Sequence, residues 1–227
     1  MNWKIAFVAL FSLMTILSGF LNAQLKLKST KPGVTYVYDG TIEIKASPVI
    51  TNKGGPQPIS LETTTYPSRQ MGDLEVYPVK QTLNNVSMFI FLAEDENGAY
   101  IFATQGPSDA EPVIAKDKCY TLKYPPEVGM TWEYKNNKGE SYISKIESRE
   151  TITVVSGNYE CIKISQFGSR YFENQLAPFK SLEWIDVKGS SVKSYSEYQI
   201  KDWVIGQPAK VIIGFQLSSI IEKRKGE

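Results

Sequence analysis

Beyond residue 24, apolar side chains recur at every second position between turn signals, and this pattern continues along most of the 227 residues. Such alternation turns one face of a strand toward a core and the other toward water. In Thr131–Lys135, for example, Trp132 and Tyr134 share one face. The tail Val211–Ile220 carries β-branched residues and an internal glycine, so we interpret it as a last strand and not as a helix. The sequence therefore predicts an all-β chain with few or no helices.

Turn residues between the alternating runs predict a single antiparallel meander of five successive hairpins. In the first, Val34–Tyr38 pairs with Thr41–Lys45 across Asp39-Gly40, a dipeptide suited to a two-residue turn. A meander of this length has to curl or split into two layers to cover its apolar face, and we expect one β domain over residues 24–227. The other predicted pairs are Met88–Ala93 with Tyr100–Thr104, Thr131–Lys135 with Ser141–Ile146, Thr151–Val155 with Tyr159–Ser165, and Leu182–Val187 with Val192–Tyr198.

The N-terminus has the order of a secretory signal peptide. Lys4 supplies a positive charge, an apolar run extends from Ile5 to Leu21, and a small-residue cleavage site follows at Ala23. The alternative is a membrane anchor, but the run is short for a bilayer span and lacks a basic stop-transfer flank. We therefore expect a signal peptide over residues 1–23. The mature protein should have no transmembrane segment and should be exported to the periplasm or the exterior.

The two cysteines, Cys119 and Cys161, are interpreted in the light of export, because oxidising compartments permit disulfides. Alternation places Cys119 on the polar face that holds Lys123, and Cys161 on the polar face that holds Lys163. Free cysteines are usually buried as small hydrophobes. We therefore predict a Cys119–Cys161 disulfide, with two unpaired thiols as the alternative.

Composition excludes several kinds of chemistry. The chain has no histidine, so a Ser-His-Asp triad and a His-ligated zinc site are ruled out. Its 25 basic and 24 acidic residues give no broad basic field for nucleic acid. The acidic run Glu94–Gly98 lacks the alternating ligands and the distal Glu of a calcium loop, and no phosphate-binding glycine loop occurs. We expect no metal, no cofactor and no nucleic-acid partner.

One predicted hairpin, Met88–Leu92 with Tyr100–Phe102, is apolar on both faces. It needs cover on two sides, from a packed loop or terminal segment, a partner protein or a hydrophobic ligand. Other aromatic residues of the meander lie on its apolar face. The candidate residues that face a ligand or partner are Phe89, Phe91, Phe102, Trp132, Tyr134 and Trp184.

Segments of the C-terminal half resemble a known pattern. A P-x-x-x-G-x-x-W-x-Y motif spans Pro125–Tyr134, a G-x-Y-x-C-x-K-I motif spans Gly157–Ile164, and Glu183-Trp184 precedes Val192–Ser194. The pattern is similar to that of uncharacterised secreted bacterial families, including TapB-like proteins, which resemble LolA/LolB-type open β-barrels. The chain departs from it at Ile185–Gly189, where these families usually have a Pro-Gly-Val-Gly turn. The resemblance implies an open or half barrel with an apolar concave face, capacity for a lipid or lipidated partner, and no catalytic residue.

Two functional hypotheses follow. The first is an exported, non-catalytic binding or scaffold protein of the bacterial envelope, whose concave apolar face holds a hydrophobic small molecule or lipid or docks an envelope protein. The alternative is a glycan hydrolase that works with two carboxylates and needs no histidine. Nothing in the spacing of the acidic residues selects a pair, and on polar strand faces they should be solvated or paired across strands. The acids considered are Glu133, Glu160, Glu173 and Glu183.

Overall fold

The computed structural model describes residues 31–46, 55–136, 139–172, 175–186, 189–201 and 208–222, so the predicted signal peptide lies outside the described residues. Within these ranges the chain forms strands and no helix, which confirms the all-β prediction. The same ranges contain no helix long and apolar enough to span a bilayer. The strands are β1 (Val34–Ala46), β2 (Gln57–Thr65), β3 (Arg69–Met71), β4 (Leu74–Leu83), β5 (Val86–Asp95), β6 (Gly98–Gln105), β7 (Val113–Lys123), β8 (Thr131–Lys135), β9 (Ser141–Val154), β10 (Gly157–Phe172), β11 (Gln175–Asp186), β12 (Ser191–Lys201) and β13 (Pro208–Glu222).

All 13 strands belong to one antiparallel sheet with the order β7-β6-β5-β4-β2-β1-β13-β12-β11-β10-β9-β8, and β3 pairs with β4 outside this path. Almost every pair joins strands that are close in sequence, as expected for a meander. The exception is β1 with β13, which brings the two ends of the described chain together. The sheet curls into a nearly closed barrel with one seam, between β7 and β8, that backbone pairing does not seal.

Four of the predicted hairpins are confirmed, and the first is wrong. Asp39 and Gly40 lie inside the continuous strand β1, which is hydrogen-bonded to β13 on one edge and β2 on the other. Long-range pairing on both edges overrides the local turn preference of the dipeptide. Gly40 instead serves close packing, because a Cβ there would lie 2.4 Å from a ring carbon of Phe215.

Large aromatic side chains fill much of the barrel interior. Tyr142, Gly168, Phe179 and Tyr198 are successive cross-strand partners on β9 to β12. The ring centroids of Tyr142 and Phe179 are 5.6 Å apart, and those of Phe179 and Tyr198 are 5.8 Å apart. Inward side chains from the opposite wall, such as Leu61, belong to the same buried cluster. The concave face therefore carries the main buried cluster of the domain.

A second cluster lies on the outer face of β4 to β7. We call it the outer aromatic cluster, and its central side chain is Phe91. The guanidinium carbon of Arg69 lies 4.6 Å from the centroid of the Phe91 ring, and Met71 packs against the same cluster. The short strand β3 thus supplies the outer cover that the two-sided hairpin needs.

The predicted disulfide is wrong, since Cys119 and Cys161 are both buried free thiols. Cys119 points into the barrel, where its Sγ lies 2.8 Å from the hydroxyl of Tyr142. Cys161 lies on β10, between Glu150 and Asp186 on the flanking strands. The assignment of Cys119 to a polar face fails because the register of β7 against β6 shifts next to it, so simple alternation does not hold there.

Candidate functional site

The seam between β7 and β8 is held by side chains. Trp132 on β8 donates a hydrogen bond from Nε1 to the carbonyl oxygen of Tyr120 on β7, over 3.0 Å. Behind it, Trp132 packs with Leu122 and Ile146 in a buried cluster. This hydrogen bond, the contact of Cys119 Sγ with the Tyr142 hydroxyl and apolar packing join edges that elsewhere in the barrel are joined by a ladder. The seam is therefore the least strongly paired junction of the wall.

A polar row crosses the inner wall beside the aromatic row that Tyr142, Phe179 and Tyr198 form. Ser144, Gln166, Ser181 and Ser196 are successive cross-strand partners on β9 to β12. Gln166 donates from Nε2 to Ser144 Oγ over 3.1 Å and accepts from Ser181 Oγ over 3.3 Å. These bonds satisfy three members of the row. They leave the hydroxyl of Ser196, at the end of the row, without a hydrogen bond among the described residues.

Several inward polar atoms have no hydrogen-bond partner among the described residues. On β11 and β12 they include Glu183 Oε1, Ser194 Oγ and Ser196 Oγ, and on β2 and β4 they include Thr63 Oγ1 and both amide atoms of Gln81. Glu183 and Ser194 are cross-strand partners, as are Thr63 and Gln81. We call these five side chains the inner polar set. All are at most 9% exposed, so bulk water does not reach them.

Burial dominates the electrostatics of Glu183. It raises the pKa of this carboxyl to about 8, against a hydrogen bond with Ser191 and the charge of Arg170, which both lower it. The hydroxyl of Tyr38 lies near the same group and donates to the carbonyl oxygen of Ser191 over 3.0 Å. Glu183 is therefore an uncharged acid at neutral pH, able both to donate and to accept a hydrogen bond.

Arg170 is a buried cation that packs against the aromatic row. Its Nη2 donates to the hydroxyl of Tyr142 over 2.7 Å. Its guanidinium carbon lies 4.2 Å from the ring centroid of Tyr142 and 5.1 Å from that of Phe179. Two π faces and a phenol oxygen thus replace part of its hydration.

Tyr142→Phe should destabilise the protein by about 1.5–3 kcal/mol, because it removes an acceptor from a buried charged donor. Tyr134→Phe is the matched control. The Tyr134 hydroxyl accepts a hydrogen bond from neutral Asn136 and is only half-buried, so its loss should cost about 1 kcal/mol or less. Urea unfolding at neutral pH measures both. Equal losses would show that Arg170 does not depend on the Tyr142 hydroxyl.

The predicted ligand-facing residues fall in different places. The structure puts Phe89, Phe91 and Phe102 in the outer aromatic cluster, on the convex side of the wall. Trp132 lies inside the barrel at the seam, and Tyr134 packs against the inner core with its ring centroid 5.0 Å from that of Tyr142. These residues do not form one surface.

Trp184, the remaining candidate, belongs to the main buried cluster. The ammonium groups of Lys163 and Lys193 lie 5.1 and 5.4 Å from its ring centroid. Its Nε1 donates to the carboxylate of Glu150. These contacts leave Trp184 only 8% exposed, so it anchors the packing of this part of the sheet.

The acidic hairpin tip has a structural role. Asp95 accepts hydrogen bonds from the backbone of Asn97, the ammonium of Lys118 and the hydroxyl of Tyr120, at 2.6–2.8 Å. These bonds lower the pKa of Asp95 despite the opposing effect of its partial burial. Within the described ranges, no group of three or more acidic or cysteine side chains could hold a metal.

Sequence reasoning missed the inner polar set, and it assigned Glu183 wrongly to a solvated face. A signal was present on β12, where Lys193, Glu197 and Gln199 share one face and Ser194 and Ser196 share the other. Since the charged face has to meet water, the serines must point inward. The other acids considered lie elsewhere: Glu133 and Glu160 are exposed, and Glu173 is outside the described residues.

No protein family and no curated protein matches the sequence. Two solved structures are similar to it. A proposed exported protein with a YmcC-like fold from Bacteroides fragilis has a TM-score of 0.42 and 10% identity, over 91% of this chain and 100% of that one. A proposed lipoprotein from Parabacteroides distasonis has a TM-score of 0.38 and 10% identity, over 91% of this chain and 99% of that one. Similarity at this level says nothing about binding, and the relation to TapB-like or LolA/LolB-type proteins stays a prediction.

Proposed function

We propose that the protein is an exported, non-catalytic binding protein of the bacterial envelope that holds a small amphipathic molecule inside its barrel. Export rests on the signal-like order of residues 1–23. The binding role rests on the interior, where an apolar, aromatic wall carries polar atoms that the protein itself does not satisfy.

The inner polar set carries the proposal. A buried donor or acceptor without a partner costs about 1–3 kcal/mol. Six such atoms together would cost an amount comparable to the whole stability of an ordinary domain, about 5–15 kcal/mol. Ordered water or a bound molecule that offers hydrogen bonds inside the barrel removes this cost, and we assign this role to the polar end of a ligand.

The rest of the interior suits an apolar body. Phe179, Tyr198 and Phe215 line the wall beside Ser194 and Ser196. Apolar contact contributes about 25 cal/mol per Å², so enclosing 300 Å² would contribute about 7 kcal/mol before ordering costs. An apolar body with a polar end matches both parts of the wall.

The seam offers a route into the barrel. Opening it breaks the side-chain contacts of Trp132 with Tyr120 and of Cys119 with Tyr142, whereas opening any neighbouring junction breaks a ladder. We expect amphiphiles to enter between β7 and β8.

A binding role also suits the arrangement of carboxylates. Glu150 and Glu160 line the same groove on the β9–β10 hairpin, yet they sit on neighbouring rungs, so their side chains leave opposite faces. The hydrolase hypothesis requires two acids that face each other. It gains no support from this pair.

Photo-crosslinking tests the proposed function. A monoacylglycerol with a diazirine in its acyl chain should label inward residues of β11 to β13, and excess monoolein should suppress the labelling. Peptide mass spectrometry locates the sites. Labelling confined to exposed residues of the outer face, such as Tyr66 and Ile114, would contradict interior binding, as would labelling no stronger than that of the urea-unfolded protein.

A further inference from the structure

We propose that the site inside the barrel selects an uncharged head group, such as a hydroxyl or an ester carbonyl, which binds between Glu183 on β11 and Ser194 and Ser196 on β12. This inference rests on the proposed function and adds the chemical class of the ligand. It is carried by the positions of three buried, unpartnered oxygen atoms and by the charge around them.

The three oxygens are close enough for one head group. Glu183 and Ser194 are direct cross-strand partners on strands that run about 5 Å apart. Ser196 follows Ser194 on the same face, roughly 7 Å further along β12. A glycerol-sized group with neighbouring oxygens spans these distances. A ligand with a single polar atom would satisfy only part of the site.

The charge around the site disfavours an ionic head group. The positive charge of Arg170 reaches Glu183 and would oppose a bound cation. Arg170 is itself held by the hydroxyl of Tyr142 and by the faces of Tyr142 and Phe179, so its charge is already partly compensated when an anionic ligand gives up its hydration on burial.

The protonation of Glu183 agrees with this assignment. Because burial raises its pKa to about 8, the carboxyl is a neutral acid at neutral pH. A neutral acid and two hydroxyls each donate and accept hydrogen bonds. They match a head group that also does both and carries no charge.

Competition among three ligands with the same unsaturated chain tests the inference. Monoolein, oleate and oleylamine carry neutral, anionic and cationic head groups, and each is titrated against the apolar dye N-phenyl-1-naphthylamine and the wild-type protein at neutral pH. We expect monoolein to bind at least about tenfold more tightly than either ion. Tighter binding of oleate or oleylamine would overturn the inference.

Two substitutions at Glu183 separate hydrogen bonding from charge. Glu183→Gln keeps a neutral hydrogen-bonding group and should bind monoolein within about threefold of wild type. Glu183→Leu should weaken monoolein about tenfold or more and leave dye uptake within about twofold. Glu62→Leu, on the exposed face of β2, is the control and should bind as wild type does. A Glu183→Gln variant that loses monoolein as Glu183→Leu does would show that the negative charge is needed, which overturns the inference.

Failure of the two proposals can be told apart. A wild-type protein that takes up neither dye nor monoolein contradicts the proposed function, and this inference with it. Dye uptake with the wrong head-group preference contradicts the inference alone. If Glu183→Leu does not fold, the double variant Ser194→Ala, Ser196→Ala replaces it. The same loss for monoolein and the same retention of dye are expected, and unchanged monoolein affinity would overturn the inference.

Discussion

The protein should lose about 3–4 kcal/mol of stability as the pH rises from about 5 to about 8, and Glu183→Gln should abolish most of this loss. In the folded state burial raises the pKa of Glu183 to about 8, from an ordinary value of 4.5. Between these values the unfolded chain releases the proton that the folded chain keeps. The folded state therefore binds more protons, and stability must fall with rising pH.

Other shifted groups act outside this pH range. Hydrogen bonds and the charges of nearby lysines lower the pKa values of Asp95, Glu147 and Glu197. The stability that these acids contribute is therefore lost only on acidification through their lowered pKa values. Burial raises the pKa of Cys161 to about 12 and also raises that of Cys119, so both thiols titrate at higher pH. The slope between pH 5 and 8 thus reports mainly on Glu183.

Urea unfolding at several pH values measures this slope. The matched control, Glu62→Gln, changes an exposed acid on β2 and should follow the wild type. A wild-type stability that is flat or rises over this range would show that Glu183 is not buried inside the barrel. The same conclusion would follow if Glu183→Gln kept the wild-type slope.

Gly168→Ala should destabilise the protein by at least about 3 kcal/mol. A Cβ at Gly168 would lie 2.2 Å from the carbonyl oxygen of Ser141 and 2.6 Å from the Cα of Tyr142, and the residue has a φ of +153°. These are backbone atoms, so β9 would have to move away from β10. The movement would displace Tyr142 from Arg170 and from the aromatic row.

Gly157→Ala separates crowding from backbone strain. Gly157 has a similar φ of +141°, but the nearest atom to its added Cβ is 3.8 Å away. Its substitution should cost about 1 kcal/mol from strain alone. Urea unfolding compares the two variants, and near-ultraviolet circular dichroism follows the aromatic row. Equal losses would mean that the close approach of β9 and β10 at Gly168 does not contribute to stability.

The strands and most hairpins could be predicted because they depend on local pattern. Alternation and a turn signal suffice for pairs such as β5 with β6, whose partners are close in the chain. The pairing of β1 with β13 joins the two ends of the described chain, and no local signal specifies it. For the same reason Asp39-Gly40 suggests a turn, although the close approach of Phe215 requires a glycine there.

The candidate site was harder to predict because it depends on which face of each strand points inward. Phe91 is a large apolar residue, yet it lies on the outer face, where Arg69 and Met71 cover it. Glu183 is charged in water, yet it lies inside, where neighbouring strands determine its environment. Alternation gives two faces for each strand, and only the closed sheet decides which face is concave.

A crystal structure of the complex with monoolein would test the central claim most directly, namely that a small amphipathic molecule satisfies the polar atoms inside the barrel. The account predicts a glycerol head group within hydrogen-bonding distance of Glu183, Ser194 and Ser196, with the acyl chain along Phe179, Tyr198 and Phe215. Monoolein bound only at the outer aromatic cluster would contradict it. So would protein side chains packed tightly against these three oxygens.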